Sequence, residues 1–315
     1  MIEPLVHPFF AGLPAEHQQV LARVVRRQRV PPGQRLFEQG DPADSALFVE
    51  RGRVELSVRM PGGGVRPLAV IEAGEVLGEL ALVERHRRSA SAQAVGELEA
   101  LVMHRDDLRA LCAHYDPASL AMLRSLAELV ARRVARVNHD RAPDRGAPPA
   151  EPVPTSWRAG ADFEVRRFLP ALSLFRRFTA ADIDELYALG QVVSPAAGEI
   201  VVRYGEPAAG CFIVVRGALQ VHVPTASGPR RVGVLGPGAI FGEVSTLLDL
   251  PRSATCSVRE RATLLALPTD ALATLRDPHR HVSFRFHEAL VRSLMARLER
   301  VNRALTGERR LRHPQ

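Results

Sequence analysis

The chain has no lysine. All 42 of the basic residues counted among its 315 are arginine. That excludes a GxxxxGK[ST] phosphate loop, the strand lysine of a protein kinase, a Schiff-base lysine and a Ser-Lys dyad. Cysteine is scarce too: Cys112, Cys211 and Cys256 are scattered, without CxxC or His spacing for a metal, and read as small buried hydrophobes. No apolar run approaches the roughly 20 residues of a membrane helix, and MIEPLVHPFF has neither a basic start nor a small-residue cleavage site. A cytoplasmic chain without a membrane anchor is expected. HExxH and GxSxG are also missing, and Asp106-Asp107 reads as a helix start, so no catalytic residue, metal or cofactor is assigned.

The net charge of +7 and pI near 10.4 would ordinarily point to nucleic acid. The arginines, however, are spread along the whole chain. They describe a solvated surface better than a dedicated nucleic-acid face, and no specific DNA partner is expected.

What the chain does have is an internal repeat. GELALVERHRRSA, Gly78 to Ala90, recurs as GEVSTLLDLPRSA, Gly242 to Ala254, 164 residues later. Gly33, Gly40 and Gly52 recur as Gly198, Gly205 and Gly217, shifted by 165, while Gly74 recurs as Gly238 and Asn138 as Asn302, shifted by 164. One residue of slippage over that distance implies two copies of one fold. In each copy glycines separate short β-branched and aromatic runs: 35–38, 46–50, 53–58 and 67–71, then 200–203, 211–215, 218–223 and 231–235. Such strands predict a closed or double-sheet β structure. A helix is expected before each set, Ala15 to Arg26 and Ala180 to Leu189, and two helices after it.

The last helix of each copy carries an apolar stripe, Leu123, Leu126, Val130, Val134 and Val137 in one and Leu290, Leu294, Leu298, Val301 and Leu305 in the other. The stripe packs either on its own barrel or on the same helix of a second subunit. Between the copies, Pro143, Pro148, Pro149, Pro152 and Pro154 mark a semi-extended linker. The expected division is domain 1 over 1–139, linker over 140–165, domain 2 over 166–305 and a basic tail over 306–315.

The repeated stretch has the makings of a binding site. Gly78 and Gly242 let the main chain pass close to a ligand, and the segments Leu80 to Leu82 and Val244 to Thr246 can start a helical turn whose N–H groups face an anion. Glu79 and Glu243 suit a sugar hydroxyl, which donates to a carboxylate. Arg88 and Arg252, nine residues on, suit phosphate oxygens. Small residues at Ala81, Ser89, Ala90, Ser245, Ser253 and Ala254 permit close approach. An internal Glu–Arg salt bridge would make no such demand, and its twofold recurrence favours a ligand. One arginine per site balances one negative charge, as in a cyclic phosphodiester.

FGEVSTLLDLPRSAT resembles the phosphate-binding cassette of cyclic nucleotide-binding domains, commonly FGE[LI]AL followed by PR[AST]A, and LGELALVERHRRSAS is a looser copy. The resemblance runs from Ala11 to Asn138 and from about Leu169 to Asn302. It implies two tandem cyclic nucleotide-binding β jelly-roll barrels, mainly β with flanking helices. By position, Glu79 and Glu243 would take the ribose 2′-hydroxyl. Arg88 and Arg252 would take the cyclic phosphate together with the N–H groups of Ala81, Ser89, Ser245 and Ser253. The ligand-binding set is completed by Gly78, Leu80, Ala90, Gly242, Val244 and Ala254. Domain 1 departs from the pattern at Leu77 and Arg87, and domain 2 at Val244-Ser245.

The function expected is a bacterial-type, non-catalytic sensor of cAMP, or less readily cGMP, acting through a protein partner or as a homodimer through the long C-terminal helices. The resemblance extends to the regulatory subunit of the cyclic-AMP-dependent protein kinase, but about ten residues before domain 1 leave no room for its docking segment. It extends equally to the catabolite-activator family, but Arg303 to Gln315 is too short for a helix-turn-helix, so a regulator of that type would act without its own. A degenerate, non-binding scaffold is the remaining alternative.

Overall fold

The computed structural model describes residues 4–60, 62–141, 165–225 and 227–311, with the backbone alone for 138–141 and 301–311. The linker prolines, the end of the basic tail, and the side chains of Val301 and Leu305 lie outside the described residues. The chain divides into two compact units, Met1–Ser125 and Leu126–Gln315.

In unit 1, α1 (Pro8–Ala11) and α2 (Ala15–Leu21) lead into β1 (Arg26–Val30), β2 (Arg35–Phe37), β3 (Pro42–Ala43), β4 (Ser45–Arg51), β5 (Val54–Arg59), β6 (Val65–Ile71) and β7 (Val76–Leu77). After the short α3 (Leu80–Val83) come β8 (His86–Arg87), β9 (Ser91–Ala94), β10 (Leu98–His104), α4 (Arg105–Ala113) and α5 (Pro117–Arg141), and the boundary between the units falls inside α5. The strands form two antiparallel four-stranded sheets, β1-β10-β4-β7 and β2-β9-β5-β6, with β3-β8 as a small third. Leu47, Leu98 and Ala100 from the first sheet meet Val54, Ala92 and Ala94 from the second in one buried cluster. Facing sheets with an apolar interior are the jelly-roll arrangement expected from the glycine-punctuated strands. The sheets face one another without closing into a single hydrogen-bonded ring.

Unit 2 begins within α5 and continues with α6 (Val165–Phe168), two 3-10 turns and α7 (Ala180–Leu189). It continues through β11 (Gln191–Val193), β12 (Ile200–Val202), β13 (Gly210–Val223), β14 (Arg230–Leu235), β15 (Ile240–Phe241), α8 (Glu243–Leu248), β16 (Thr255–Pro268), α9 (Thr269–Thr274) and α10 (His281–Leu311). β13 and β16, each 14 residues long, run side by side and carry the other strands on their flanks. Their pairing shifts register between Val214 and Leu219. Gly217 makes the bend possible: its φ is +83°, and a Cβ there would lie 2.4 Å from Arg261 O.

Helix α7 has the predicted limits because Thr179 and Asp182 form a reciprocal capping box at its start. Helix α2 does not reach Arg26. It ends at Leu21, and Arg26–Val30 pairs antiparallel with β10 instead. Four of the five β1 residues are exposed, so the strand has no apolar alternation to announce it. Leu123, Leu126, Val130 and Val134 are at most 1% exposed, and Leu290 and Leu294 at most 2%, so these parts of both stripes are covered within the chain. No helix among the described residues is long and apolar enough to cross a membrane.

Candidate functional site

In unit 2 the repeated stretch folds around a cavity. β15 delivers the chain to Gly242, whose φ of +80° turns it into α8. A side chain at 242 would collide with Arg252: the Cβ position is 2.7 Å from Arg252 Nη1. That closeness is used, since Arg252 Nη1 donates to Gly242 O at 2.7 Å and Nη2 donates to Gly210 O at 2.9 Å. The guanidinium is thereby fixed by two main-chain carbonyls, which carry no full charge to neutralise it. It is 5% exposed, and burial pulls its pKa down against the opposing pull of Cys211, Cys256, Glu243 and Glu206. An arginine remains protonated under such a shift.

The cavity measures about 240 Å³, and Gly242, Glu243, Val244, Ser245, Arg252, Ser253 and Ala254 all lie on its wall. Valines of the surrounding strands supply the apolar part, with Phe241 and Cys256. Burial pushes the Cys256 thiol up to about 12, so it is an uncharged wall group rather than a nucleophile. Ser245 directs its hydroxyl away to Pro251 O at 3.2 Å.

Glu243 is 2% exposed, and neither carboxylate oxygen accepts an aligned hydrogen bond among the described residues. Its charge is answered by Arg297 of α10, whose Nη1 lies 2.7 Å from Oε1 while Nη2 donates to Ile240 O at 2.6 Å. The acid end of the site is therefore tied to the last helix. A hydroxyl donor entering the cavity would supply the hydrogen bond that the carboxylate lacks.

In unit 1 the same residues are arranged differently. Gly78 again has positive φ, +75°, and its Cβ position is 2.3 Å from Arg88 Nη1. Arg88 is 6% exposed, but among the described residues only Nη2 is bonded, to Ser45 Oγ at 3.1 Å, and Phe37 lies over the guanidinium with its centroid 4.1 Å from Cζ. Burial lowers the Arg88 pKa, with Asp44 and Asp41 opposing. The cavity of about 500 Å³ that Arg88 borders is lined by Phe37, Asp41, Asp44, Ser45 and His104 among others, and Gly78, Glu79, Ser89 and Ala90 are not on that wall. Glu79, Leu80, Ala81 and Ala90 are buried and Ser89 is exposed. The Ala81 N–H, expected to face an anion, donates to Gly78 O at 3.0 Å inside the loop.

Sequence reasoning missed Arg297, the valine walls and Phe37. Arg297 left one trace: Arg133 stands 164 residues before it, in step with the repeat. The other residues enter through strand register, which the repeated stretch does not contain.

A family model described as the cyclic nucleotide-binding domain matches residues 27–115 and again 192–279. The cyclic AMP receptor protein of Thermus thermophilus is 35% identical over 127 residues, 40% of this chain and 57% of that protein. The cGMP-dependent protein kinase egl-4 of Caenorhabditis elegans is 23% identical over 248 residues, 78% of this chain and 26% of that protein. The chain thus spans a little over half of the first relative's length and about a quarter of the second's. Among solved structures, the regulatory domain of Toxoplasma gondii PKA with cAMP is 17% identical at a TM-score of 0.32, over 84% of this chain and 86% of that one.

Proposed function

From the premise that this chain belongs to the cyclic nucleotide-binding domain family, both matched segments together covering more than half of it, we propose that it is a non-catalytic sensor of a cyclic nucleotide. Domain 1 spans 1–139 and domain 2 spans 166–305, joined by a proline-rich linker and followed by a basic tail. The observation that carries the reading is the wall of the unit 2 cavity, where a buried carboxylate and a buried guanidinium stand together among apolar side chains. Arg252 takes the cyclic phosphate and Glu243 the ribose 2′-hydroxyl, with the base against the valines. Arg88 and Glu79 have the same roles in domain 1, where Glu79 would first have to come to the wall that Arg88 borders.

Cyclic AMP is the preferred ligand: the relative named for it is 35% identical, and the one named for cGMP is 23% identical. The output is a protein partner or self-association, driven by movement of α10, because Arg297 links that helix to Glu243. The three free thiols fit a reducing compartment such as the cytoplasm.

Titration calorimetry of the whole chain with cyclic AMP and cyclic GMP tests this. The expected result is saturable binding of both, cyclic AMP the tighter. Absence of heat and of any melting-temperature shift with either nucleotide at millimolar concentration would remove the reading.

A further inference from the structure

Phe37 and Val202 occupy one position of the repeat. Each closes the short strand between the first two glycine turns, and the strand pairing agrees, since Phe37 faces Ala92 and Val202 faces Cys256. Val202 lines the cavity that holds Arg252, and Phe37 lines the one that Arg88 borders. Phe37 in addition lies on the arginine of its own unit, 4.1 Å from Cζ to ring centroid. Nε and Nη1 of Arg88 are buried, Nη1 against Gly78, and make no hydrogen bond among the described residues. Buried N–H groups without acceptors are costly, and an aromatic face replaces an acceptor only weakly. Arg252 is not in that condition, with Nη1 and Nη2 both bonded to carbonyls. The two cassettes share Gly, Glu and Arg-Ser-Ala and differ at the eight positions between, so the difference has sources both inside the cassette, at Gly242 O, and outside it, at Gly210 O and Phe37.

We propose that Phe37 is a gate on the Arg88 site, so that a cyclic nucleotide must displace the ring before its phosphate reaches Nε and Nη1, and site 1 fills after site 2. The inference rests on the cyclic nucleotide reading above. Asp44 reinforces it modestly, lying 3.9 Å from Arg88 Nη2 where the repeat has Ala209. Its side chain is 60% exposed, which screens its effect. The anion meets two donors that are unsatisfied among the described residues, while the guanidinium gives up the attraction of the ring.

Reciprocal exchange in the full chain tests the gate, with cyclic AMP as titrant. The wild type should show a strong and a weak phase, the weak one lost in Arg88→Ala. Phe37→Val should tighten the weak phase about two- to thirty-fold, the worth of a cation–π contact, and leave the strong phase alone. Val202→Phe should weaken the strong phase. In parallel, the Arg88 Nε–H resonance should carry a ring-current shift that disappears in Phe37→Val and on saturation of the wild type. A weak phase unmoved by Phe37→Val, or a ring-current shift that survives saturation, overturns the gate while the strong phase keeps the sensor reading intact. If neither phase exists in any variant, the sensor reading itself fails and the gate falls with it.

Discussion

The two arginines of the repeat stand at the same step of the cassette and each borders a cavity, yet one is held by main-chain carbonyls and the other lies against an aromatic ring. Arg252 donates to Gly242 O and Gly210 O, whereas Arg88 donates to Ser45 Oγ and meets Phe37. Some of the changes that separate them, Phe37 for Val202, Asp44 for Ala209 and Ser45 for Gly210, lie far from the signature in sequence, beside the differences within it at 80–87 and 244–251. The cassette thus picks out the arginine in each unit. What holds that side chain also depends on the strands behind it.

The largest expected effect divides the sites most sharply. Removing one partner of a desolvated charge pair costs about 2 to 5 kcal/mol, roughly thirty-fold to several-thousand-fold in affinity. Arg252→Ala should therefore abolish the strong phase of cyclic AMP binding in calorimetry. Arg88→Ala should remove only the weak phase and leave the strong affinity within about two-fold. Equal losses from the two variants would erase the distinction between the sites.

This asymmetry also marks how far the sequence could be read. Glycine turns and β-branched runs located most strands, because positive-φ positions and sheet edges have a strong chemical preference. Helix α7 also has the expected limits, and the Thr179–Asp182 capping box accounts for its start. By contrast, β1 is written RRQRV and is held by backbone pairing to β10 with little side-chain burial, so no strand is expected there from the sequence and the helix is expected to run on to Arg26. All seven candidate residues of unit 2 meet on one wall because they are local to a single loop and its helix. Arg297 and Phe37 reach the arginine and glutamate through tertiary packing, and no spacing within the cassette encodes that.

A second, smaller effect concerns the tie between site and helix. Arg297 is the partner of a carboxylate that is 2% exposed, but its own side chain is 21% exposed. Losing it should cost about 1 to 3 kcal/mol of stability, less than the 3 to 5 kcal/mol of a fully buried pair. Arg297→Gln should also uncouple α10: ligand-dependent hydrogen exchange over residues 281–300 should fade while the loops around Glu243 and Arg252 remain protected. Helix exchange that still follows the ligand in this variant would mean the signal travels by another contact.

The smallest effect separates the units by pH. His7 is 1% exposed and packs edge-on against Phe10 and Phe48, with ring centroids 6.3 and 5.6 Å away. The position 165 residues later is Leu172, which cannot titrate. His7 Nδ1 accepts the Phe9 N–H at 3.1 Å and Nε2 faces Glu75 O at 3.2 Å, an arrangement that assigns a neutral ring with its proton on Nε2. Burial holds the pKa below the ordinary 6.5, against the opposing pull of the Glu75 carbonyl and the Glu50 charge. Below about pH 6.5 the unfolded chain therefore binds a proton that the folded one resists, and stability falls as pH falls. Protonation of Nδ1 also breaks the cap of α1, so the loss should begin at that end of unit 1. Denaturant unfolding at pH 7.5 and 5.5 should show a steeper decline for the wild type than for His7→Leu, which carries the residue unit 2 already uses. Identical slopes would mean that the ring is protonated as readily in the folded chain as in the unfolded one, and that this end of unit 1 is no more sensitive to acid than its counterpart.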